Sequence, residues 1–288
     1  MLPFRKILFP TDFSERCRAV APAVAHTVER FGAELILLNA IDPAPLMTGA
    51  LEPSLVSPVP DFLEQRRRQE HQLGEFQREF FATAHTTLAV EDGDPAWAVR
   101  QFVRHHAVDL VMLPTHGRGA FRRLLLGSVT TKILHDVDCA VWTDAHRTEG
   151  NPGFPYRRIL CCLDVHEAEA AAVLRAACSL ASTYDAELAL VHVVETPPAS
   201  WEVDYVVYRD QMIETANKKM GQLMEDSGIQ APFEIGSGGR SEEVHRVAVA
   251  RGADLIVTGR GHARSGVGRL WSSLYSIIRE APCPVLSI

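Results

Sequence analysis

The chain has 288 residues, enough for two domains of ordinary size, and its 47% hydrophobic and 23% charged content excludes general disorder. A net charge of -7, from 36 acidic and 29 basic residues, argues against a duplex nucleic acid partner, whose binding rests on neutralising many phosphates. The longest apolar stretches, around Leu35–Leu38 and Leu188–Val194, fall far short of the ~18 residues that a membrane helix needs.

Short apolar runs alternate with helical stretches along the chain. Lys6–Phe9 reads as a strand and Ser14–Phe31 as a helix, with Ser14 as its N-cap. Glu34–Ala40 is a second strand. Asp42 to Pro60 then holds five prolines and reads as an ordered loop or lid before a long charged helix, Asp61–Ala84. Thr87–Val90 is a third strand, Pro95–His105 a helix opened by proline, and Asp109–Leu113 a fourth strand. Gly127–His135 is a helix and Cys139–Thr143 the last strand of this half. The second half reads likewise and ends with a strand at Pro284–Ile288. Such alternation implies a parallel sheet with helices on both faces.

The two halves are copies of one another. Phe4-Arg5-Lys6-Ile7-Leu8 returns as Tyr156-Arg157-Arg158-Ile159-Leu160, and each run leads into an aspartate, Asp12 and Asp164. Ala33-Glu34-Leu35 returns as Ala186-Glu187-Leu188, Asp109-Leu110-Val111 as Asp254-Leu255-Ile256, and Cys139-Ala140-Val141 as Cys283-Pro284-Val285. The offset falls from 152 residues to 144, so the first copy carries the longer insert. Asp144 to Pro155 is polar and holds Gly150, Pro152, Gly153 and Pro155, which is linker chemistry. The expected organisation is a first domain at 1–144, a linker at 145–155 and a second domain at 156–288.

In a doubly wound sheet, ligands sit beyond the carboxyl ends of the strands, where the winding reverses. Pro10, Thr11 and Asp12 follow the first strand. Pro114, Thr115, His116, Gly117 and Arg118 follow the fourth, and Gly127-Ser128-Val129-Thr130 opens the next helix. Glycines let the backbone approach an anion, and a helix N-terminus presents unpaired N–H groups to it. Ser128 and Thr130 add hydroxyl donors, and Arg118, Arg122 and Arg123 add positive charge. The pattern is that of a phosphate cradle.

These residues carry a resemblance. From end to end, both copies resemble the universal stress protein family, whose nucleotide-binding members carry Gly-x-x-Gly, nine residues, then Gly-Ser/Thr after the fourth strand. Gly117, the nine residues Arg118–Leu126, and Gly127-Ser128 match the second part, and Thr-Asp-Phe-Ser around Asp12 is a further family mark. The resemblance implies two flavodoxin-like (adenine nucleotide alpha hydrolase-like) doubly wound sheets of five parallel strands, related by an intramolecular pseudo-two-fold. Val141-Trp142 and Val285-Leu286 are then the candidate strands for pairing across that axis.

The resemblance also implies ATP, with Mg2+ as its companion ion. Asp12 would meet the ribose or the metal side, the backbone near Ala40 the adenine, and Gly117, Gly127 and Ser128 the phosphates. Pro114 stands where the family has its first glycine, which removes a backbone donor. The second copy departs further: Gly259 matches, but His262 and Ser272 replace glycines. One main site is therefore expected in the first copy, at Pro10, Thr11, Asp12, Ala40, Thr115, His116, Gly117, Arg118, Gly127, Ser128, Val129 and Thr130. A weaker one is expected at Asp164, Val193, Gly259 and Ser273.

Other chemistry finds little support. His166-Glu167 lacks the second histidine of a zinc-protease motif, because position 170 is alanine, and no metal-ligand spacing is evident. No Walker A, GxGxxG or Gly-x-Ser-x-Gly sequence occurs, and no residue is clearly placed as a catalytic base. Arg66-Arg67-Arg68 reads as a solvated helix face, and Trp201, Tyr205, Tyr208 and Met212 as a buried helical stripe. The six cysteines include no C-x-x-C pair and read as small buried hydrophobes in a reducing compartment. Met1-Leu2-Pro3-Phe4-Arg5-Lys6 leads into a strand-like run, not a signal-peptide core, so a cytoplasmic protein is expected. The functional expectation is an ATP-binding stress-response or regulatory protein, a homodimer of the tandem chain. A slow ATPase and a scaffold without nucleotide are the alternatives.

Overall fold

A computed structural model describes residues 3–41, 59–115, 126–144, 154–195, 205–260 and 269–288. The chain divides into two compact units, Pro3–Val141 and Trp142–Ile288.

In the first half, the elements run β1 (Lys6–Pro10), α1 (Glu15–Phe31), β2 (Glu34–Ile41), α2 (Val59–Phe80), β3 (Thr86–Asp92), α3 (Pro95–His106), β4 (Leu110–Leu113), α4 (Ser128–Asp136) and β5 (Ala140–Thr143). The strand order is β3-β2-β1-β4-β5. β1 pairs in parallel with β2, Lys6 opposite Glu34, and with β4, Ile7 opposite Leu110. Ile7, Leu8, Phe9, Leu35, Ile36, Leu37 and Leu38 are all buried. That continuous apolar run is what a strand covered on both faces requires.

The second half repeats the plan with β6 (Arg158–Cys162), α5 (Ala170–Tyr184), β7 (Glu187–Val194), α6 (Tyr205–Ser227), β8 (Phe233–Ser237), α7 (Arg240–Arg251), β9 (Leu255–Thr258), α8 (Arg269–Glu280) and β10 (Val285–Ser287). Its order is β8-β7-β6-β9-β10. Both halves are thus parallel sheets, as the alternation implied, with the flavodoxin-like, doubly wound order that the resemblance implied.

Local chemistry accounts for the element ends. Ser14 is extended and its hydroxyl accepts the Cys17 N–H, so α1 starts where its cap predicted. Each central strand is also held by an aspartate that stands before β4 or β9. Asp109 accepts the Arg5 and Lys6 N–H groups at 2.8 and 2.9 Å. Asp254 accepts those of Arg157 and Arg158 at 2.7 and 3.0 Å. The repeated Asp-Leu-Val and Asp-Leu-Ile triplets are therefore clamps on the entry to β1 and β6.

Three expectations need correction. The long helix stops at Phe80 instead of Ala84, because Phe81 turns into the core and Thr86 is already paired with Leu35. Arg67 and Arg68 are exposed as expected, but half-exposed Arg66 does more than meet solvent: its guanidinium donates to the Val90 carbonyl at 2.8 Å and pairs with Asp92, tying α2 to the end of β3. The stripe through Tyr208 is not buried either. Tyr208 is exposed, and the buried face of α6 is Ala216, Met220 and Met224. At 1.5 Å per residue this 23-residue helix spans about 34 Å, longer than the roughly 26 Å of the eight-residue strand β7, and the exposed side chains Val206, Val207 and Tyr208 lie near its start. Trp201 and the insert at 42–58 lie outside the described residues.

Burial of the cysteines matches expectation in part: Cys17, Cys161, Cys162 and Cys283 are buried, whereas Cys139 and Cys178 are half-buried, and none of the six is bonded to another. Burial, which disfavours the charged thiolate, pushes Cys17 and Cys162 up to about 11, which makes them inert packing groups.

The aspartate clamps give a direct test. Asp109→Ala and Asp254→Ala each leave two backbone donors without their carboxylate. Each should lower stability by about 1.5–3 kcal/mol, read from urea unfolding. A loss under about 0.5 kcal/mol in both would show that water replaces the clamp.

Candidate functional site

In the first half the winding reverses between β1 and β4, and Pro10, Thr11, Asp12, Thr115, Gly127, Ser128, Val129 and Thr130 of the expected site stand at or just beyond the exits of those two strands. β1 ends at Pro10, and the Thr11 N–H continues the ladder to the Leu38 carbonyl at 2.8 Å. Thr11, Asp12, Phe13 and Ser14 then form a tight turn. The Thr11 hydroxyl accepts the Phe13 N–H, and Asp12 Oδ1 accepts both the Ser14 N–H and the Cys17 thiol.

Phe13 sits at φ 60°, in the left-handed region that a bulky side chain rarely adopts. Its ring packs edge-on against Phe76 of α2, with centroids 5.9 Å apart. Strain of this kind costs on the order of 1–3 kcal/mol and persists only where surroundings enforce it. Val165, at the matching place in the second half, is not in that region. The turn around Asp12 is therefore a special conformation of the first copy alone.

At the neighbouring exit, the chain leaves β4 through buried Pro114 and Thr115 and re-enters at Gly127, whose N–H donates to the Thr115 carbonyl at 2.9 Å. Gly127 is extended, and no side chain caps the first turn of α4. Ser128 and Val129 are exposed there. A helix start with open N–H groups is a ready anion site. Thr130 differs from expectation. Its buried hydroxyl donates to the Pro114 carbonyl at 3.2 Å, so it fixes α4 against the strand end and offers no hydroxyl to a ligand. His116, Gly117 and Arg118 lie outside the described residues. Ala40 is half-buried near the end of β2, opposite Glu91.

One residue of this site went unnoticed in the sequence. Asn39 is buried in β2, its Nδ2 donates to the Thr11 carbonyl at 2.8 Å, and its Oδ1 has no partner among the described residues. A buried acceptor left unpaired costs about 1–3 kcal/mol and calls for an explanation. The available signal was a polar residue inside the otherwise apolar run Leu35–Ile41.

The second half brings its four expected residues together. Asp164, Val193, Gly259 and Ser273 line one cavity at the exits of β6, β7 and β9, beside Arg240 and Arg260. Arg240, the first residue of α7, lies against that opening: it pairs with Asp164 at 3.0 Å and Glu195 at 3.4 Å. Burial alone would raise the Asp164 carboxyl. The His166 N–H, the Arg240 guanidinium and two imidazoles outweigh it, and the carboxyl ends below its ordinary value. Burial lowers His192, which stays neutral at pH 7. The corresponding residue to Arg240 in the first copy is Pro95, which cannot form such a pair.

A model of the universal stress protein family matches the chain twice, over residues 3–143 and 155–288. The chain belongs to the universal stress protein family. It is 26% identical over 140 residues to a universal stress protein of Methanocaldococcus jannaschii, covering 48% of this chain and 80% of that one. It is 29% identical over 143 residues to another of Thermus aquaticus, covering 48% and 96%. Each such match is about one copy long. Among solved structures, a universal stress protein from Archaeoglobus fulgidus matches 98% of this chain and 95% of its own, at 22% identity and a TM-score of 0.66. No described helix is long and apolar enough to cross a membrane.

The position of α4 rests partly on Asp94. This residue caps α3 through the Trp97 N–H and pairs with Lys132 of α4 at 2.9 Å. Lys132, and after it the Trp97 N–H, hold the carboxyl below its ordinary value. Its contribution is then present above the unfolded value of about 3.9 and lost as pH falls through the lower folded value. Asp94→Ala should cost about 1 kcal/mol at pH 7, because both groups are half-exposed. Urea unfolding of the two proteins should converge below pH ~3; a gap that persists there would mean that the charge contributes nothing.

Proposed function

We propose that the first copy binds an adenine nucleotide, ATP with Mg2+, and that the chain serves as an ATP-dependent stress-response or regulatory protein. The observation that carries this reading is the coincidence, at one sheet end, of two kinds of unpaired polar group. The open first turn of α4 suits phosphate oxygens. The orphaned Asn39 Oδ1 suits a donor such as an amino or hydroxyl group of a nucleoside. Both flank the strained Asp12 turn at the reversal of the winding, where doubly wound sheets take such ligands.

The residues present fit the group. Gly127, Ser128 and Val129 would hold phosphates through the helix start, with Asp12 on the ribose or magnesium side and the backbone at Ala40 beside the base. Thr130 and Thr115 would position that helix start. The remaining three residues of the motif, His116, Gly117 and Arg118, would complete the phosphate side. ATP supplies a polyanion whose binding energy is available to a regulatory change. Hydrolysis finds no assigned base among these residues, so binding comes before turnover in this reading. The second copy is the weaker nucleotide site, because Arg240 already neutralises Asp164. A homodimer of the tandem chain and a cytoplasmic location complete the proposal.

A scaffold without nucleotide is the second reading, and Pro114 favours it. Its ring removes one backbone donor from the phosphate turn, although its carbonyl still anchors Thr130.

The test is calorimetric titration of ATP with Mg2+ into nucleotide-stripped protein, alongside Gly127→Trp. One site per chain, weakened at least about 100-fold in the variant, is the expected result. No heat and no thermal shift in the unaltered protein would move it to the scaffold reading.

A further inference from the structure

Asp164, His166 and His192 meet at the exit of β6. Each offers one ligand atom, and these atoms all lie within 4.8 Å of one another. Donors bound to one ion at about 2.1 Å in a tetrahedral or cis-octahedral set lie about 3.0–3.4 Å apart, so closing the cluster needs side-chain shifts of up to about 1.4–1.8 Å. His166 is exposed, Asp164 half-buried and His192 buried, which gives the group one wet side and one fixed side.

The first copy shows what this corner needs for folding alone. There Asp12 matches Asp164, but Ser14 stands at the place of His166 and Asn39 at that of His192. Asn39 Nδ2 lies 2.8 Å from the Thr11 carbonyl, and His192 Nδ1 lies 3.2 Å from the Leu163 carbonyl at the same point of the repeat. An amide therefore suffices to hold that carbonyl, and a serine suffices at the other position. The second copy has replaced both by imidazole, and both imidazoles face the retained aspartate. Packing and hydrogen bonding do not require this pair of changes.

The surrounding charges are compatible with an ion. Arg240 binds Asp164 Oδ2 at 3.0 Å and is itself paired with Glu195. Asp164 Oδ1 is left on the side of the histidines, accepting the His166 N–H at 3.0 Å and standing 3.8 Å from His192 Nδ1. A carboxylate oriented through its second oxygen is the usual outer-shell arrangement at a metal. Lys219 Nζ lies 2.8 Å from His166 Nδ1, but it is an exposed ammonium on a four-carbon stem and can turn into water.

We propose that Asp164, His166 and His192 bind one divalent transition-metal ion in the second copy. Two imidazoles and one carboxylate, with further coordination positions open to water, suit Zn2+, Co2+, Ni2+ or Fe2+; Mg2+ and Ca2+ prefer all-oxygen sets. The two copies would then use the same sheet corner for different ligand classes. The proposal goes beyond the nucleotide reading and does not rest on it.

The test is titration of Co2+ into the full chain after chelator treatment, followed by visible absorption and by calorimetry, with no nucleotide present. One equivalent should bind and give a ligand-field spectrum. His166→Ser with His192→Asn restores the first copy's residues, and should weaken that site at least about 100-fold while the urea midpoint stays near its original value. His166→Ser alone, at an exposed position, covers the case in which the double variant does not fold and should weaken binding about tenfold or more. No bound Co2+ overturns the proposal. So does an equivalent retained by the variants, which would assign the ion to others of the 12 histidines.

Discussion

In a parallel sheet all strands end on the same side, and where the winding reverses the connections from two adjacent strands leave toward opposite faces. This happens between β1 and β4 and again between β6 and β9. Backbone and side-chain groups at those exits have no next strand or helix to pair with, so they are left for local turns or for a ligand. Most of what is distinctive in this protein follows from how each copy treats that corner. Elsewhere the two halves are alike: buried central strands, aspartate clamps at Asp109 and Asp254, and helices on both faces.

The first copy keeps the corner polar and partly unpaired. Thr11, Asp12 and Ser14 satisfy one another, but only with Phe13 forced into the left-handed region and its ring anchored on Phe76. Asn39 keeps one buried acceptor without a partner, and α4 begins at a glycine with no capping side chain. Each feature costs folding free energy. Their concentration at one end of one sheet is what the proposed nucleotide site rests on, since a ligand there would supply the missing partners. The aromatic cluster of Phe9, Phe76, Phe80 and Phe81, with Arg18 over two of those rings, supplies the packing that holds the strained turn.

The second copy resolves the same corner internally. Arg240 takes the place of a proline and neutralises Asp164, His192 takes over the hydrogen bond made by Asn39, and His166 replaces Ser14. Val165 needs no left-handed conformation. The duplicated frame thus tolerates two solutions, because the strand cores that fix it are separate from the few exit residues that vary. On the two proposals, one copy of the tandem chain would keep nucleotide chemistry while the other takes on a different ligand.

The alternation of apolar runs and helical segments, the internal repeat and the end caps were legible in the sequence, because they depend on periodicity and nearest neighbours. Ser14 capped α1, Pro95 opened α3, and the expected strands fell within a residue or two of their places. The placement of Asp12 just after β1 and of Gly127 and Ser128 at the start of α4 was legible too, as positions in a doubly wound order. What only the tertiary structure decided were pairings across long stretches of chain. Arg66 meets Val90, Thr130 meets Pro114, and Arg240 meets Asp164 76 residues away. The cluster of Asp164 with His166 and His192 depends on β6 and β7 lying side by side. None of these has a local pattern. Side-chain chemistry at a strand exit is set by which neighbour the sheet order brings, and that order is a property of the folded chain.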